Sequence, residues 1–545
     1  MSFHPYLSNN FEEIFGRPSR YRAFWWSPDS RRIAFYRFDD SQVPMFPIYS
    51  PFGPDGTLRR THYPKAGERN PEVRIGLADL SDGSIVWADF DPSEDQYFGP
   101  PFWGPDSRHF YVPREPRIQN TLDLFAVDAR DGSKRAIYHE QVATWLEWPE
   151  DILFTDKGLY LVRDFETGWQ QLYFLSYDGT TFRRLTDGPN WRMHLLRADK
   201  DGSVYFLAER DSHVRSTLYR LSPKGTVTAL TDPALHVADA SFSPDGRHFI
   251  TRSSNLRTPW QLCLHDARGH SARIAAQEGN AEGTGELVEI ESDGLLLPGV
   301  IYYPEGFDPG QKYPVHVDIY GGPDTPLVRD RWVRPDTYAW YRQHGIIQLV
   351  ADCRAAGHNG RAGLDAIYRQ LGTVEVEDFI AWARWLQSLP YVKADKIGVE
   401  GFSFGGTMTA LLVGTASEYY RYGIAGGGVY DWSLYDTHYT ERFMSTPQDN
   451  PEGYRNTAVI RRMENYKGRC TGARPAPVML KLTHGTADDH VHFQNTLQLI
   501  DVLHRQGADF ELMIYPDGLH GYRGYQGRHF REANYDFWTR YLLED

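Results

Sequence analysis

Up to about residue 280 the apolar positions alternate with polar ones in short runs, each broken by Asp, Gly or Pro. Alternation with a period of two predicts half-buried strands, and no long helical periodicity interrupts it. One strand-and-turn unit recurs: RIGLADLSDG from 74, DLFAVDARDG from 123, QLYFLSYDG from 171, TLYRLSPKG from 217 and WQLCLHDARG from 260. Successive copies start 43 to 49 residues apart. A second unit, a turn feeding a strand, precedes some of them: WWSPDSRRIAFYRFD from 25, WGPDSRHFYV from 103 and FSPDGRHFI from 242. Repeats of about 40–50 residues, each holding several strands, predict a β-propeller, here of about five to six blades over residues 1–280. A β-sandwich with chance similarity between strands accounts less well for the near-constant spacing.

From residue 281 to 545 the pattern changes. YPVHVDIYGG, GIIQLVADCR, KIGVEGFS, PVMLKLTHG and DFELMIYPDG read as buried strands. VEVEDFIAWARWLQSL, HFQNTLQLIDVLHRQG and YDFWTRYLLED carry apolar residues at helical spacing. Strands alternating with helices predict an α/β domain with a mostly parallel sheet, and ligand sites on such sheets gather at the carboxyl ends of the strands.

Composition narrows the picture. At 545 residues the chain is too long for one core, so two or more domains are expected. Apolar residues at 41% and charged residues at 24% are globular proportions, and aromatics at 14% suit many short strands. A net charge of −14 argues against a nucleic-acid partner. No run of about 18 apolar residues occurs, so no membrane span is expected. The opening MSFHPYLSNNFEEIF has no basic region followed by an apolar core, so no signal peptide is expected, and the cytoplasm is the expected compartment. Cys263, Cys353 and Cys470 lie too far apart for a metal cluster or a disulfide framework and are expected to be buried. No metal or cofactor is implied.

The chemistry concentrates at Gly401-Phe402-Ser403-Phe404-Gly405, a G-x-S-x-G between the strand-like KIGVE and the helix-like GTMTALLVG. Strand, tight turn and helix are what a nucleophile elbow requires. A serine hydroxyl needs a base, and the base needs an orienting acid. Downstream, LTHGTADDHVHF ends one strand with Asp488 and Asp489, and YPDGLHGY ends the next with His520. The order serine, acid, histidine is that of α/β-hydrolases. Spacing does not choose between Asp488 and Asp489, nor does it exclude Asp517. His484, His490 and His492 are expected to serve structure or to rim the site.

With GFSFGG, YRQLGTVEVED, YDTHYTERFM and HGTADDHVHF in view, the chain resembles the prolyl oligopeptidase family of serine peptidases, and within it the dipeptidyl peptidase IV branch. The resemblance implies a β-propeller capping an α/β-hydrolase. It implies Asp488 as the triad acid, and Tyr320 with the backbone N–H of Phe404 as the oxyanion hole. Trp432, Tyr435, Tyr439 and Val491 are implied as the apolar pocket for proline, and Arg442 as a side chain that steadies the substrate carbonyl. His490 stands where the branch usually has asparagine. Glu12 and Glu13 correspond to the paired glutamates that hold the substrate's free α-amino group. Only 11 residues precede Glu12, where the branch normally carries further blades. A smaller propeller, an open one, one completed by another subunit, and a truncated chain all fit that difference. The implied activity is release of N-terminal dipeptides, Xaa-Pro or Xaa-Ala, from peptides with a free N-terminus. Dimerisation through the hydrolase domain is common in the family. Rival readings are an acylaminoacyl- or tripeptidyl-peptidase or an esterase of the same family, and a non-catalytic propeller-based binding protein.

Overall fold

The computed structural model describes residues 23–266, 268–279, 285–468 and 477–544. Glu12, Glu13 and Cys470 lie outside the described residues. Five antiparallel sheets follow one another along the N-terminal part. The first contains Phe24–Trp26, Arg32–Asp39, Glu72–Asp79 and Ile85–Trp87. The fifth contains His236–Phe242, His248–Ser254, Gln261–Asp266 and Ser271–Ala276. Each copy of the strand-and-turn repeat falls on the third long strand of its sheet and the turn after it. The turn explains the conserved spelling within the chain. Asp79, Asp128 and Asp266 each accept a backbone N–H two residues on. The glycines that close the five turns (83, 132, 179, 225 and 269) all have φ between 74° and 87°, where a Cβ is disfavoured.

Shared apolar clusters join each sheet to the next. Ile75 and Leu77 of the first pack with Phe110 and Val112 of the second. Leu122 and Leu124 pack with Leu159 and Tyr173 of the third. Leu172 packs with Phe206 of the fourth, and Leu218 of the fourth with Val237 and Phe249 of the fifth. Each such buried side chain contributes about 1.5–3 kcal/mol. Alternation is needed because both faces of an inner sheet meet neighbours through every second residue.

The C-terminal part holds one eight-stranded sheet. Its strands are β1 (Glu286–Ser292), β2 (Leu295–Tyr302), β3 (Tyr313–Ile319), β4 (Ile347–Ala351), β5 (Val392–Phe402), β6 (Tyr422–Gly426), β7 (Met479–Gly485) and β8 (Glu511–Tyr515). They lie in the order β1-β2-β4-β3-β5-β6-β7-β8. The pairs β1/β2 and β2/β4 are antiparallel, and all others are parallel. Every residue of β4, β6 and β7 is buried, and β4 and β7 are correspondingly rich in apolar residues. Helices Val374–Ser388, Phe404–Thr415 and Gln494–Arg505 cover the sheet. Among the described residues no helix is long and apolar enough to cross a membrane.

One excursion joins the two parts. Between the second and third strands of the first sheet, Met45–Ser50 and Thr57–His62 form a two-stranded hairpin that reaches the ends of β7 and β8.

Candidate active site

Ser403 follows the last residue of β5 and precedes the helix Phe404–Thr415. Its backbone is strained, with φ 60° and ψ −119°. Neighbouring glycines make the turn sterically feasible. A Cβ on Gly401 would stand 2.5 Å from the backbone of Gly405, and one on Gly405 would stand 2.6 Å from the Ile319 carbonyl oxygen. The Ser403 N–H donates to the Gly426 carbonyl at 2.8 Å, tying the turn to β6. The serine side chain therefore projects above the carboxyl ends of the parallel strands, with the N-terminus of a helix beside it.

His520 bridges serine and aspartate. Its Nε2 lies 2.9 Å from Ser403 Oγ, and its Nδ1 lies 2.7 Å from Asp488 Oδ2. A carboxylate has no proton to give, so the imidazole carries its proton on Nδ1 and offers the Nε2 lone pair to the hydroxyl. Asp488 is buried, and its Oδ1 accepts the N–H groups of His490 and Val491, each at 3.0 Å. Burial alone would raise its carboxyl. The charge of His520 and hydrogen bonds from His484 and His520 outweigh that and hold it far below the ordinary carboxylate range. Asp488 is thus a fixed anion. His484 is itself held by Thr496 at 2.7 Å and the Val491 carbonyl at 2.8 Å.

The pocket side is aromatic. Tyr320, just past β3, has its phenol pushed up by burial and pulled back by a hydrogen bond with Ser403. Phe404 begins the helix, where a backbone N–H has no intrahelical partner. The Trp432 ring is 5.6 Å from that of Phe404, Tyr435 is 6.4 Å from Trp432, and Tyr439 is 5.5 Å from Tyr435. Asp436 caps the helix Thr437–Met444 by accepting the Tyr439 N–H at 2.7 Å. That helix places Tyr439 and Arg442 one turn apart on one face. Val491 is buried beside Asp488. His490 stacks on His520 at 5.3 Å, and burial, followed by the His520 charge, lowers its pKa to about 3. A neutral imidazole thus rests against the base.

The structure separates the three aspartates that spacing left open. Asp488 alone meets His520, whereas Asp489 pairs with Arg59 at 3.3 Å and Asp517 accepts from Ser50 at 2.6 Å. Cys353 is buried as expected, but Cys263 is only half-buried, on a strand of the fifth sheet whose residues all keep partial exposure. Beyond Glu12 and Glu13, no site residue from the N-terminal part is expected from the sequence. Gln119 and Glu147 bind Arg442 at 2.8 and 2.6 Å. Ser50, Arg59 and Tyr63 bind the loops after β7 and β8. No local pattern marks any of these, because each partner lies hundreds of positions away.

Comparison with known proteins follows the two-part layout. Residues 11–260 match a family described as the dipeptidyl peptidase IV N-terminal region, and residues 332–545 match the prolyl oligopeptidase family. A probable dipeptidyl-aminopeptidase B of Uncinocarpus reesii is 30% identical over 94% of this chain and 59% of its own length. A probable dipeptidyl peptidase 4 of Emericella nidulans is 30% identical over 92% of this chain and 68% of its own. The crystal structure of Porphyromonas gingivalis dipeptidyl peptidase 4 superposes with a TM-score of 0.88 at 28% identity, covering 98% of this chain and 76% of that one. The chain spans about three fifths of the length of several curated relatives it matches.

Proposed function

Because this chain belongs to the prolyl oligopeptidase family, we propose that it is a serine exopeptidase releasing N-terminal dipeptides, with proline or alanine at the second position. The observation that carries this reading is the hydrogen-bonded series Asp488–His520–Ser403 opening onto Trp432, Tyr435 and Tyr439. In the same reading the five antiparallel sheets are the blades of a shortened propeller within residues 1–280, and residues 281–545 form an α/β-hydrolase domain.

His520 Nε2 takes the Ser403 proton as Oγ attacks the carbonyl carbon of the second substrate residue. The C–O bond forms, and the carbonyl electron pair moves to oxygen. Tyr320 and the Phe404 N–H donate to that oxyanion, and each such donor is worth about 10²–10³ in rate. The tetrahedral species collapses, the C–N bond breaks, and the proton on Nε2 passes to the leaving amine. Water then enters, gives its proton to Nε2 and hydrolyses the ester, returning Ser403 Oγ–H. Asp488 keeps the imidazole in the required tautomer throughout.

Proline has a ring instead of an N–H and a fixed φ, so a closed aromatic pocket rewards its flat apolar surface. Glu12 and Glu13 serve in this reading as the anchor for the free α-ammonium, which sets the two-residue count. Hydrolysis of Gly-Pro-p-nitroanilide tests the assignment. Wild type cleaves, and both Ser403→Ala and the Glu12→Ala/Glu13→Ala double variant lose activity. A glutamate variant as active as wild type favours an acylaminoacyl- or tripeptidyl-peptidase or an esterase. Failure of Ser403 to react with a fluorophosphonate favours a non-catalytic binding protein.

A further inference from the structure

We propose that the hairpin Met45–His62, an outgrowth of the N-terminal part, is a strap that positions the acid and base loops of the catalytic site. The inference rests on the triad assignment above but not on the dipeptide specificity.

The hairpin is a regular antiparallel pair, from Met45 opposite His62 to Ser50 opposite Thr57. It touches both catalytic loops through chemically different contacts. Ser50 Oγ donates to Asp517 Oδ2 at 2.6 Å, and Asp517 lies three residues before His520. Arg59 pairs with Asp489 at 3.3 Å, and Asp489 adjoins Asp488. The Phe46 ring stacks on His492 with centroids 3.6 Å apart and planes 9° apart. Just past the second strand, the buried Tyr63 hydroxyl donates to the His490 carbonyl at 2.8 Å. Lys65 then covers the other contact of Phe46, 4.5 Å from the ring centroid, and binds Gln494.

These contacts matter because the loops lie past the ends of β7 and β8, beyond the ladder that fixes the strands. The loops bind each other through Ala487 N–H to the Gly518 carbonyl at 3.0 Å and Asp517 N–H to Thr486 Oγ1 at 2.9 Å. Asp517 adopts φ 52°, a left-handed conformation that aspartate tolerates, and its carboxylate accepts the Ser50 hydroxyl. The hairpin thus holds that loop from outside the hydrolase sheet. His492 is buried, and its pKa is lowered to about 3, first by burial and then by the charge of Lys65, so it stacks on Phe46 as a neutral ring. Displacing a catalytic group by about 1 Å costs about 100-fold in rate, so a strap acting on both loops governs turnover rather than substrate affinity.

The test uses the full chain with Ser50→Ala, Arg59→Ala and their double variant, beside the conservative Ser50→Thr and Arg59→Lys. Three quantities are read: the second-order rate of fluorophosphonate labelling, kcat and KM on Gly-Pro-p-nitroanilide, and the pH profile of kcat/KM. Circular dichroism and the thermal midpoint check folding. The double variant is expected to lose about 10- to 100-fold in labelling rate and kcat together, with KM within about threefold and a shifted pH midpoint. The conservative variants retain most of the rate. A double variant labelled and turning over within twofold of wild type overturns the strap, and so does a loss confined to KM. Should the double variant unfold, Ser50→Ala against Ser50→Thr decides by the same readings. Wild type that neither labels nor cleaves overturns the triad reading and the strap with it. Wild type that labels, with variants that match it, overturns the strap alone.

Discussion

Glu147 Oε2 stands 2.6 Å from Arg442 Nη1, so a carboxylate from the N-terminal part holds an arginine of the hydrolase part beside the aromatic pocket. Gln119 takes the Arg442 Nε at 2.8 Å, while Nη2 is buried and has no hydrogen-bond partner among the described residues. In the proposed reading this guanidinium steadies a substrate carbonyl. Glu147 keeps 42% of its side chain exposed, which weakens the pair relative to a buried one. Glu147→Ala is expected to lower kcat/KM by about 5- to 30-fold, mainly through KM, because it loosens a binding group rather than the triad. Steady-state kinetics on an Ala-Pro substrate checks this.

Tyr320→Phe removes the phenolic hydroxyl and retains the ring that packs near Phe404. The expected outcome is a fall in kcat of about 10²–10³ with KM nearly unchanged, since an oxyanion donor acts only in the transition state. An unchanged kcat assigns the hydroxyl to packing.

Three aspartates make separate predictions. Asp488→Asn alters the tautomer of His520 and is expected to lower kcat by about 10⁴. Asp489→Asn and Asp517→Asn remove partners of Arg59 and Ser50 and leave the Asp488–His520 contact in place. Each is expected to cost far less than Asp488→Asn. Parallel kcat measurements on the three variants rank them.

Asp436 links pH to stability. Burial raises its carboxyl from 3.8 to about 7, and its Oδ2 is buried with no hydrogen-bond partner among the described residues. Between those values the unfolded chain has released the proton and the folded chain still holds it. Stability therefore falls as pH rises through this window. Asp436→Asn keeps an oxygen for the Tyr439 N–H and cannot ionise. Urea unfolding is expected to show the variant gaining on wild type between pH 5 and pH 8. A stability difference that stays constant with pH contradicts the assignment.

Much of the architecture was legible because it repeats. The glycine-closed turns and alternating strands recur at a near-constant interval, and each copy occupies the same place in its sheet. The strands that precede Ser403, Asp488 and His520 carry apolar runs that end in turn residues, and the one before Asp488 is buried throughout, so they stood out. By contrast, β6 is only YGIAG, too short and glycine-rich to register as a strand. The hairpin β1–β2 was also missed, and YDFWTRYLLED proved to be the end of a helix that starts at Gly524 and widens into a π-helical turn at Thr539. Long-range partners were the true blind spot. Ser50 with Asp517, and Glu147 with Arg442, are set by how two folded parts meet, which no local periodicity encodes.

The most direct test compares hydrolysis of H-Ala-Pro-p-nitroanilide and N-acetyl-Ala-Pro-p-nitroanilide by the full chain, with Ser403→Ala as control. Efficient cleavage of the free-amine substrate, little cleavage of the blocked one and none by Ser403→Ala is the predicted result. Equal cleavage of both substrates, or cleavage that survives Ser403→Ala, contradicts a dipeptide-releasing serine peptidase acting through Ser403.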